Sequence, residues 1–287
     1  MSNYISEDKI QELEEKANEA RELLIEMLTE AGSGHTAGPL GMADIFTSLY
    51  FQVLNHDPKN PEMPDRDRLI LSNGHIVPIR YVLMAMSGFF PVEELKTLRK
   101  FSSRLQGHPE RTKLPGLETT SGPLGSGLGQ ACGIAYGARM DKKQFRTYCI
   151  MSDGEYNAGN TWESLLFAGK NKLSNLTAII DRNNIQIDGM TEDVMPLESF
   201  KAKLEAFNWH VIEIDGHNIE AFVDAVEQAK AIFEKPTVII AHTIPGKGIH
   251  EIEFDYNWHG NTPKPEEAKK FLNELRTLGG KIKSEHQ

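Results

Sequence analysis

Short apolar segments followed by polar turns form the main pattern of hydrophobic positions along the chain. Residues 147–151 and 176–180 are apolar and rich in β-branched or aromatic side chains, which is typical of strands covered on both faces. The segment from Gly159 to Lys170 separates them and has apolar residues at helical spacing. These residues are Trp162, Leu165, Leu166 and Ala168. We therefore predict two neighbouring parallel strands joined by a helical crossover.

The rest of the chain repeats this alternation of strands and helices. Further strands are predicted at residues 68–72, 211–214 and 237–241. Further helices are predicted between Ser6 and Gly32, from Met42 to Val53, after Asn73-Gly74-His75, from Asn218 to Phe233, and within the tail from Lys264 to Gln287. The glycine- and proline-rich segment from Phe101 to Pro123 is predicted to be a functional loop. Strands alternating with helices indicate an α/β fold, here a three-layer, doubly wound parallel sheet that forms one domain over residues 1–287.

Polar residues at the carboxyl ends of the first two apolar runs suggest a binding site. Asp153-Gly154 follow one run and Asn183-Asn184 follow the other. Ligands of open α/β sheets bind beyond the carboxyl ends of the strands, and carboxylate and amide oxygens suit a hard cation such as Mg²⁺. Because Mg²⁺ usually also binds phosphate oxygens, a diphosphate ligand is expected. The alternative is that both pairs are ordinary strand-ending turns, since Asp, Asn and Gly favour turns.

The overall composition disfavours several classes of partner and site. A net charge of −10 and a sequence pI near 5.5 argue against nucleic acid and against an anionic membrane surface, because both require clustered cations. Cys132 and Cys149 lie in apolar segments without partner spacing, so we expect buried free thiols. The first residues lack an apolar leader, and no run reaches the roughly 20 apolar residues that span a bilayer. A cytoplasmic protein is therefore expected.

A series of short motifs resembles the successive motifs of transketolases. They are Ser33-Gly34-His35, Leu71-Ser72-Asn73-Gly74-His75, Gly107-His108-Pro109-Glu110, Thr119-Thr120-Ser121-Gly122-Pro123-Leu124-Gly125, Ser152-Asp153-Gly154, Asn183-Asn184-Ile185-Gln186-Ile187-Asp188-Gly189 and Trp258-His259-Gly260. They keep the order of that family and cover nearly the whole chain. Many separate matches are far more specific than any one short motif, so the chain resembles the amino-terminal, thiamine diphosphate-binding part of a transketolase.

The resemblance implies a thiamine diphosphate site with Mg²⁺, for which Ca²⁺ or Mn²⁺ could substitute. It assigns the cation to Asp153, Asn183 and the backbone carbonyl of Ile185, and it places the Gly154 backbone N–H at the diphosphate. Other implied cofactor contacts are His75, Gly122, Pro123, Leu124, Ile187 and His259. We add Lys247 as a cation near the phosphates, for which a solvated lysine is the alternative.

Four histidines of these motifs are the candidate catalytic residues, namely His35, His75, His108 and His259. The resemblance implies that all except His75 contact the hydroxyl and carbonyl oxygens of the substrate. Imidazole suits this task because it can donate or accept a hydrogen bond near neutral pH. Five others are expected to be ordinary surface or core residues, namely His56, His210, His217, His242 and His250.

The implied activity is transfer of a two-carbon ketol unit from a ketose phosphate to an aldose phosphate. A whole transketolase also has a pyrimidine-binding domain, which carries the glutamate that activates the cofactor, and a C-terminal domain. We expect both on a separate C-terminal transketolase subunit, in an α2β2 complex in which this chain also self-associates. The chain alone should be inactive.

Two residues after Asp153-Gly154 depart from the transketolase pattern. Ala158 replaces an acidic residue that reaches toward the subunit interface, and the preceding Asn157 is also unusual. Either the interface is built differently or coupling between subunits is weaker. The alternative functions are another thiamine diphosphate enzyme and a non-catalytic cofactor-binding partner. The former could be a deoxyxylulose phosphate synthase-like enzyme, which joins pyruvate to a triose phosphate, or a 2-oxo acid dehydrogenase component.

Overall fold

A five-stranded parallel sheet lies at the centre of the protein, for which a computed structural model describes residues 5–277. The strands are β1 (Arg68–Leu71), β2 (Thr147–Ser152), β3 (Leu176–Arg182), β4 (Ile185–Gln186), β5 (Gly189–Met190), β6 (His210–Asp215) and β7 (Thr237–His242). β4 and β5 form a separate antiparallel hairpin. The other five are ordered β1-β2-β3-β7-β6, and every neighbouring pair is parallel. The predicted parallel strands are therefore confirmed.

Helices of very different lengths connect the strands. They are α1 (Glu7–Ala31), α2 (Ala37–Gly41), α3 (Ala43–Ser48), α4 (Val77–Met86), α5 (Ser126–Met140), α6 (Gly159–Asn171), α7 (Thr191–Val194), α8 (Phe200–Ala206), α9 (Ile219–Ala231) and α10 (Pro265–Thr277). A π-helical segment (Leu49–Val53) follows α3. Short 3-10 turns occur at Gly74–Ile76, Val92–Thr97, Asp153–Asn157 and Tyr256–Trp258.

The first helix has the predicted boundaries. Ser6 Oγ accepts a hydrogen bond from the Lys9 backbone N–H at 3.3 Å, and the helix ends at Gly32, whose φ of 61° lies in the left-handed region. Such a residue is favourable at a helix end because glycine lacks a Cβ atom. The predicted helix from Met42 to Val53 is replaced by α2, α3 and the π-helical segment, so the helical region already begins at Ala37.

The predictions for the long loop and for the last two helices agree with the structure in part. No helix or strand interrupts the segment between Thr97 and Ser126, all of which is described, so the predicted loop is confirmed. The tail helix is α10, and residues 278–287 of the predicted tail lie outside the described part. Phe233 is not helical, because α9 ends at Ala231.

Alternate strand residues enter two separate hydrophobic cores, one on each face of the sheet. In β2, Tyr148 and Ile150 belong to one core, and Cys149 and Met151 to the other. Helices α1, α3, α4, α9 and α10 contribute to the first core, whereas α5, α6 and α8 contribute to the second. This arrangement confirms the predicted three-layer, doubly wound α/β fold. Cys149 and Cys132 are buried free thiols, as predicted.

Helix α6 is the predicted crossover between β2 and β3. Its Leu165 and Ala168 side chains are buried, but Leu166 is 58% exposed. Leu166 therefore does not face the core, since one residue beyond Leu165 the helix has already turned away from the sheet. No helix within residues 5–277 combines the length and apolar character needed to cross a lipid bilayer.

Candidate cofactor and substrate site

The polar residues predicted at two strand ends lie side by side. Ser152 of β2 is paired with Asp181 of β3, so the residues that follow, Asp153 and Asn183, leave the sheet at the same edge. The Asp153 carboxylate spans the gap, because its Oδ2 atom accepts a hydrogen bond from the Asn184 backbone N–H at 3.0 Å. The two strand ends therefore form one polar site at the carboxyl edge of the sheet.

Asp153 is fully buried, and both of its carboxylate oxygens have partners. Oδ1 accepts a hydrogen bond from the Gly154 backbone N–H at 2.7 Å, and Oδ2 accepts one from Thr191 Oγ1 at 3.3 Å. Oδ2 also lies 3.0 Å from Nη1 of Arg182. Burial raises the pKa of Asp153, while the Arg182 guanidinium and the backbone N–H groups of Asn184 and Gly154 oppose that shift. A divalent cation at this carboxylate would favour its ionised form.

The side chain of Asn183 is oriented by two contacts. Its Nδ2 atom donates to Asp181 Oδ2 at 2.8 Å, and its Oδ1 atom accepts from the Ile185 backbone N–H at 3.1 Å. Asp181 is itself buried and accepts a hydrogen bond from Thr243 Oγ1. Burial raises the pKa of Asp181 to about 7. Asp181 therefore determines which side of the Asn183 amide presents oxygen.

These residues fit a hard divalent cation. Oδ1 of Asp153 and Oδ1 of Asn183 each accept one hydrogen bond, so each keeps a lone pair for a metal. Carboxylate, amide and backbone carbonyl oxygens are the ligands that Mg²⁺ and Ca²⁺ prefer. Within residues 5–277, no three His, Cys, Asp or Glu side chains are grouped as a metal site. A cation here would therefore depend on Asn183 and on a backbone carbonyl such as that of Ile185.

Three of the four candidate catalytic histidines form a cluster. The ring centroids of His35 and His75 are 4.9 Å apart, those of His75 and His259 are 5.1 Å apart, and those of His35 and His259 are 5.4 Å apart. They come from three separate segments: His35 precedes α2, His75 follows β1, and His259 follows the turn Tyr256–Trp258. The fold thus assembles one histidine cluster from motifs far apart in the sequence.

His108 lies close to this cluster. A Cβ atom added at Gly122 would be 3.8 Å from His108 Cδ2, so the loop that contains Gly122 packs against the imidazole. His108 also lines a cavity of about 710 Å³, together with Ser33, Arg99 and other residues. Of the four candidate histidines, only His108 lines this cavity, and Ser33 in its lining precedes His35 by two residues.

All four histidines have a pKa below the ordinary value for imidazole. Burial lowers the pKa of His35 to about 4, with further contributions from His259, Arg99 and His108. Burial, reinforced by the other three histidines, lowers the pKa of His75 well below its usual range. Burial is also the main cause of the lowered pKa of His108 and of His259. The rings are therefore neutral at physiological pH, where each can donate one hydrogen bond and accept another.

Several buried polar atoms in this region have no hydrogen-bond partner among the described residues. They are Nδ1 of His35, both side-chain amide atoms of Asn73, Oγ of Ser121 and Oε1 of Glu155. Buried polar groups are normally paired, because an unpaired one costs about 1–3 kcal/mol. Other unpaired buried atoms lie elsewhere among the described residues, but these five belong to the segments that carry His35, His75, Gly122 and Asp153. A polar ligand bound there would supply the missing partners.

The predicted apolar cofactor contacts lie at the surface near the strand ends. Leu124 is 44% exposed and Ile187 is 70% exposed. Pro123 is also exposed, and Gly122 is half-buried. Leu124 and Ile187 are therefore accessible to a ligand or to another protein.

Two single-residue predictions have different outcomes. Lys247 is buried, with 3% of its surface exposed, so the alternative of a solvated lysine is wrong. At Gly154, an added Cβ atom would meet only the Gln186 side chain, at 3.4 Å. The fold alone therefore does not require glycine at that position, and the predicted role of Gly154 depends on the ligand.

Three histidines that were expected to be ordinary residues have protein partners. His242 Nε2 lies 3.3 Å from Glu213 Oε2 at the surface, and the other two have partners inside the fold. His217 contacts Asp44 Oδ2 through Nδ1 at 2.8 Å, and its Nε2 atom accepts from the Ile244 backbone N–H at 2.8 Å. His56 Nε2 lies 2.9 Å from the Tyr50 carbonyl oxygen. Both side chains therefore have structural partners within the fold.

Sequence reasoning missed three buried charged residues at the site: Glu155, Asp181 and Arg182. Asp181 and Arg182 are the last residues of β3, and the sequence signal was a pair of charges at the end of an otherwise apolar strand. Glu155 directly follows Asp153-Gly154. Nothing in the sequence indicates which loops it contacts.

Comparison with known proteins identifies the family. Residues 13–278 match the family described as transketolase, thiamine diphosphate binding domain. The chain belongs to this family. The clustered histidines and the strand-end oxygens therefore lie in a transketolase domain of the thiamine diphosphate-binding type. This match confirms thiamine diphosphate as the predicted organic cofactor, whereas the divalent cation stays a prediction.

Three similar proteins show how much of a transketolase this domain represents. The 6-deoxy-6-sulfo-D-fructose transketolase subunit SqwG of Clostridium sp. (strain MSTE9) is 42% identical over 85% of this chain and 88% of that protein. An apulose-4-phosphate transketolase subunit of Phocaeicola vulgatus is 36% identical over 97% of this chain and 99% of that protein. The solved transketolase of Campylobacter jejuni has a TM-score of 0.87 and 36% identity, over 94% of this chain but only 43% of that chain. The chain thus has the extent of a transketolase subunit and spans less than half of a complete transketolase chain.

The residues that depart from the transketolase pattern lie next to the site. Asn157 Oδ1 accepts a hydrogen bond from Gln186 Nε2 at 3.1 Å, and Asn157 Nδ2 lies 3.4 Å from the Met195 carbonyl oxygen. Asn157 therefore ties the turn after β2 to the segment after β3. A Cβ atom added at Gly125 would lie 3.0 Å from the Ala158 methyl group, so Ala158 packs near the start of α5. The effect of either residue on a subunit interface stays a prediction.

Proposed function

We propose that the chain is the amino-terminal subunit of a thiamine diphosphate-dependent transketolase, which transfers a two-carbon ketol unit from a ketose phosphate to an aldose phosphate. The main observation behind the proposal is that the strand-end oxygens and the histidine cluster lie at the same edge of the sheet. Asp153 and Asn183 follow β2 and β3, and His75 of the histidine cluster follows the adjacent strand β1. A cation-binding site and a neutral hydrogen-bonding cluster therefore adjoin each other.

In this proposal, the strand-end oxygens hold the cation that binds the cofactor diphosphate. Asp153, Asn183 and the carbonyl of Ile185 would hold Mg²⁺, or Ca²⁺ or Mn²⁺ in its place. When bound, thiamine diphosphate supplies the electron sink for cleaving and forming the carbon–carbon bond. The residues that would contact the cofactor are His75, Gly122, Pro123, Leu124, Gly154, Asn183, Ile187, Lys247 and His259.

The four histidines would bind the sugars and the cofactor. His35, His108 and His259 would hydrogen-bond to the hydroxyl and carbonyl oxygens of the substrate, and His75 would act near the cofactor ring. Their lowered pKa values support this role, because a neutral imidazole can accept a hydrogen bond from one hydroxyl group and donate one to another oxygen. The cavity beside His108 would admit the substrate.

A second subunit would complete the site. The chain spans 43% of the Campylobacter jejuni transketolase, and two similar proteins are named as subunits. We propose a partner that carries the pyrimidine-binding and C-terminal domains, in an α2β2 complex. The exposed Leu124 and Ile187 side chains support a covered surface near the cofactor.

The test is a reconstitution assay with the chain and the subunit that co-purifies with it. Xylulose 5-phosphate and ribose 5-phosphate should be converted only when both subunits, thiamine diphosphate and Mg²⁺ are present. Because the two similar subunits are named for 6-deoxy-6-sulfo-D-fructose and apulose 4-phosphate, both compounds should be included as donors. Turnover by the chain alone, or turnover only with pyruvate and glyceraldehyde 3-phosphate, would contradict the proposal.

A further inference from the structure

Glu155 is a fully buried acidic residue that the proposed chemistry does not use. It lies in the 3-10 turn Asp153–Asn157 that follows β2, and its exposed fraction is 0%. A buried carboxyl group is costly unless hydrogen bonds stabilise it. Its contacts therefore indicate what this residue does in the fold.

The Glu155 carboxyl group joins three segments that are distant in the sequence. Its Oε2 atom accepts hydrogen bonds from Ser72 Oγ and from the Gly125 backbone N–H, the latter at 3.0 Å. Ser72 Oγ in turn accepts a hydrogen bond from the Gly127 backbone N–H at 3.0 Å. One side chain thus links the end of β1, the turn after β2 and the start of α5.

These contacts provide acceptors for backbone N–H groups at the amino terminus of α5, where no N-cap side chain does so. Gly125 is the N-cap residue, has a φ of 82°, and offers no side-chain hydrogen bond. The first backbone N–H groups of a helix need acceptors, and a negative charge is favourable there. Glu155 and Ser72 supply the acceptors from neighbouring elements, so the position of α5 depends on them.

The packing around Glu155 leaves little freedom for these loops. A Cβ atom added at Gly127 would lie 2.4 Å from the Ser72 Cβ atom, and one added at Gly125 would lie 2.4 Å from Asn160 Oδ1. The start of α5 therefore packs closely against Ser72, which follows β1, and against the start of α6.

Both linked loops continue directly into proposed site residues. Gly122, Pro123 and Leu124 immediately precede Gly125, and His75 follows Ser72 by three residues. A shift of Gly125 or Ser72 would therefore move cofactor-binding backbone and a catalytic imidazole together. Displacements of about 1 Å at such groups can cost about 100-fold in rate.

We infer that Glu155 is a positioning residue, which holds the Ser72–His75 loop and the Gly122–Gly125 loop in the arrangement that binds the cofactor. It acts through these loops, to which its Oε2 atom is hydrogen-bonded. The inference rests on the proposed function for its effect on the cofactor, whereas its effect on loop order stands independently.

The test compares Glu155→Gln with Glu155→Ala in the complex of the chain and its partner. Glutamine keeps an acceptor oxygen for Ser72 and Gly125, whereas alanine leaves both donors unpaired. We expect Glu155→Ala to speed amide hydrogen exchange in residues 119–128 at least about tenfold and to weaken Mg²⁺-dependent thiamine diphosphate binding about tenfold or more in calorimetry. Glu155→Gln should restore both values to within about threefold of the wild type. Glu205→Gln, an exposed change on α8, serves as the matched control.

A second variant tests the inference in case Glu155→Ala does not fold. Ser72→Ala removes one donor to Glu155 and the acceptor for Gly127, so it should speed exchange at the start of α5 even if Glu155→Ala does not fold. Unchanged exchange and affinity in a folded Glu155→Ala complex would overturn the inference, as would equal losses in the Gln and Ala variants. If wild-type complex bound no thiamine diphosphate, the proposed function would fail, and the exchange experiment would still decide the role of Glu155 in loop order.

Discussion

The guanidinium of Arg182 lies 3.0 Å from Asp153 Oδ2, and both side chains are almost completely buried. Arg182 also reaches Glu192 at 2.6 Å and Glu198 at 3.0 Å. The proposed cation ligand is therefore tied to the segment after β5. Arg182 holds the carboxylate in place while leaving Oδ1 with a free lone pair.

Replacing Arg182 by methionine should destabilise the protein. The change leaves the buried Asp153 carboxylate without its positive partner, and breaking a buried ion pair in this way costs about 3 kcal/mol or more. Urea unfolding of the chain at pH 7 measures the loss. Mg²⁺ should raise the stability of Arg182→Met more than that of the wild type, because the cation replaces the missing charge. Lys230→Met breaks the partly exposed pair with Glu227 and should cost less than about 1 kcal/mol. Similar losses in both variants would contradict this interpretation.

The histidine cluster should be essential for turnover by the complex. His35→Ala or His259→Ala removes a hydrogen-bonding group from the cluster, and we expect kcat/KM for the sugar substrates to fall about 100-fold or more. Steady-state kinetics with both subunits measures this. His250→Ala, at an exposed residue outside the site, is the control. Retention of activity within a few-fold of wild type in both cluster variants would remove the histidines from the mechanism.

The fold and the paired strand ends could be predicted because their signals are local. Residues 147–151 and 176–180 are apolar because they are covered on both faces, and parallel strands must end at the same edge. Helix α5 was missed because glycines interrupt its sequence at 127, 129, 133 and 137. Glycine disfavours helix interiors, but at Gly127 the close contact with Ser72 requires it.

The remaining parts of the site depend on contacts that no local pattern contains. The sequence shows an acidic residue at 155 and an arginine at 182, but not that the first contacts Ser72 and Gly125 or that the second contacts Asp153. The burial of Lys247 likewise depends on tertiary packing, and the solvated alternative could be rejected only from the structure.

His35 should stay neutral at pH values well below the usual pKa of imidazole. Burial and the neighbouring histidines lower its pKa to about 4, against about 6.5 in an unfolded chain. The unfolded state therefore binds more protons between these values, so the contribution of His35 to stability is full above pH 6.5 and is lost as the pH falls toward 4. NMR titration, with His35→Gln to assign the signal, checks the value. A midpoint near 6.5 for His35 in the folded protein would contradict it.

The contribution of Asp44, a buried residue away from the site, to stability should also be lost at low pH. Burial alone would raise the pKa of Asp44, but Arg21 and His217 outweigh it and lower the pKa to about 2. Because the unfolded value is about 3.9, the contribution of Asp44 is present above that pH and is lost as the pH falls toward 2. Urea unfolding of wild type and Asp44→Asn should therefore differ strongly at pH 6 and less at pH 3. A difference that stays constant between these pH values would contradict the assignment.

The most direct test of the central claim is calorimetric titration of thiamine diphosphate into the complex of the chain and its partner, with and without Mg²⁺. We predict binding only with the divalent cation, and affinities at least about 100-fold weaker for Asp153→Asn and for Asn183→Leu. Asp141→Asn, at an exposed residue after α5, should bind like the wild type. Wild-type affinity in both strand-end variants, or undiminished binding after removal of divalent cations with EDTA, would contradict the account.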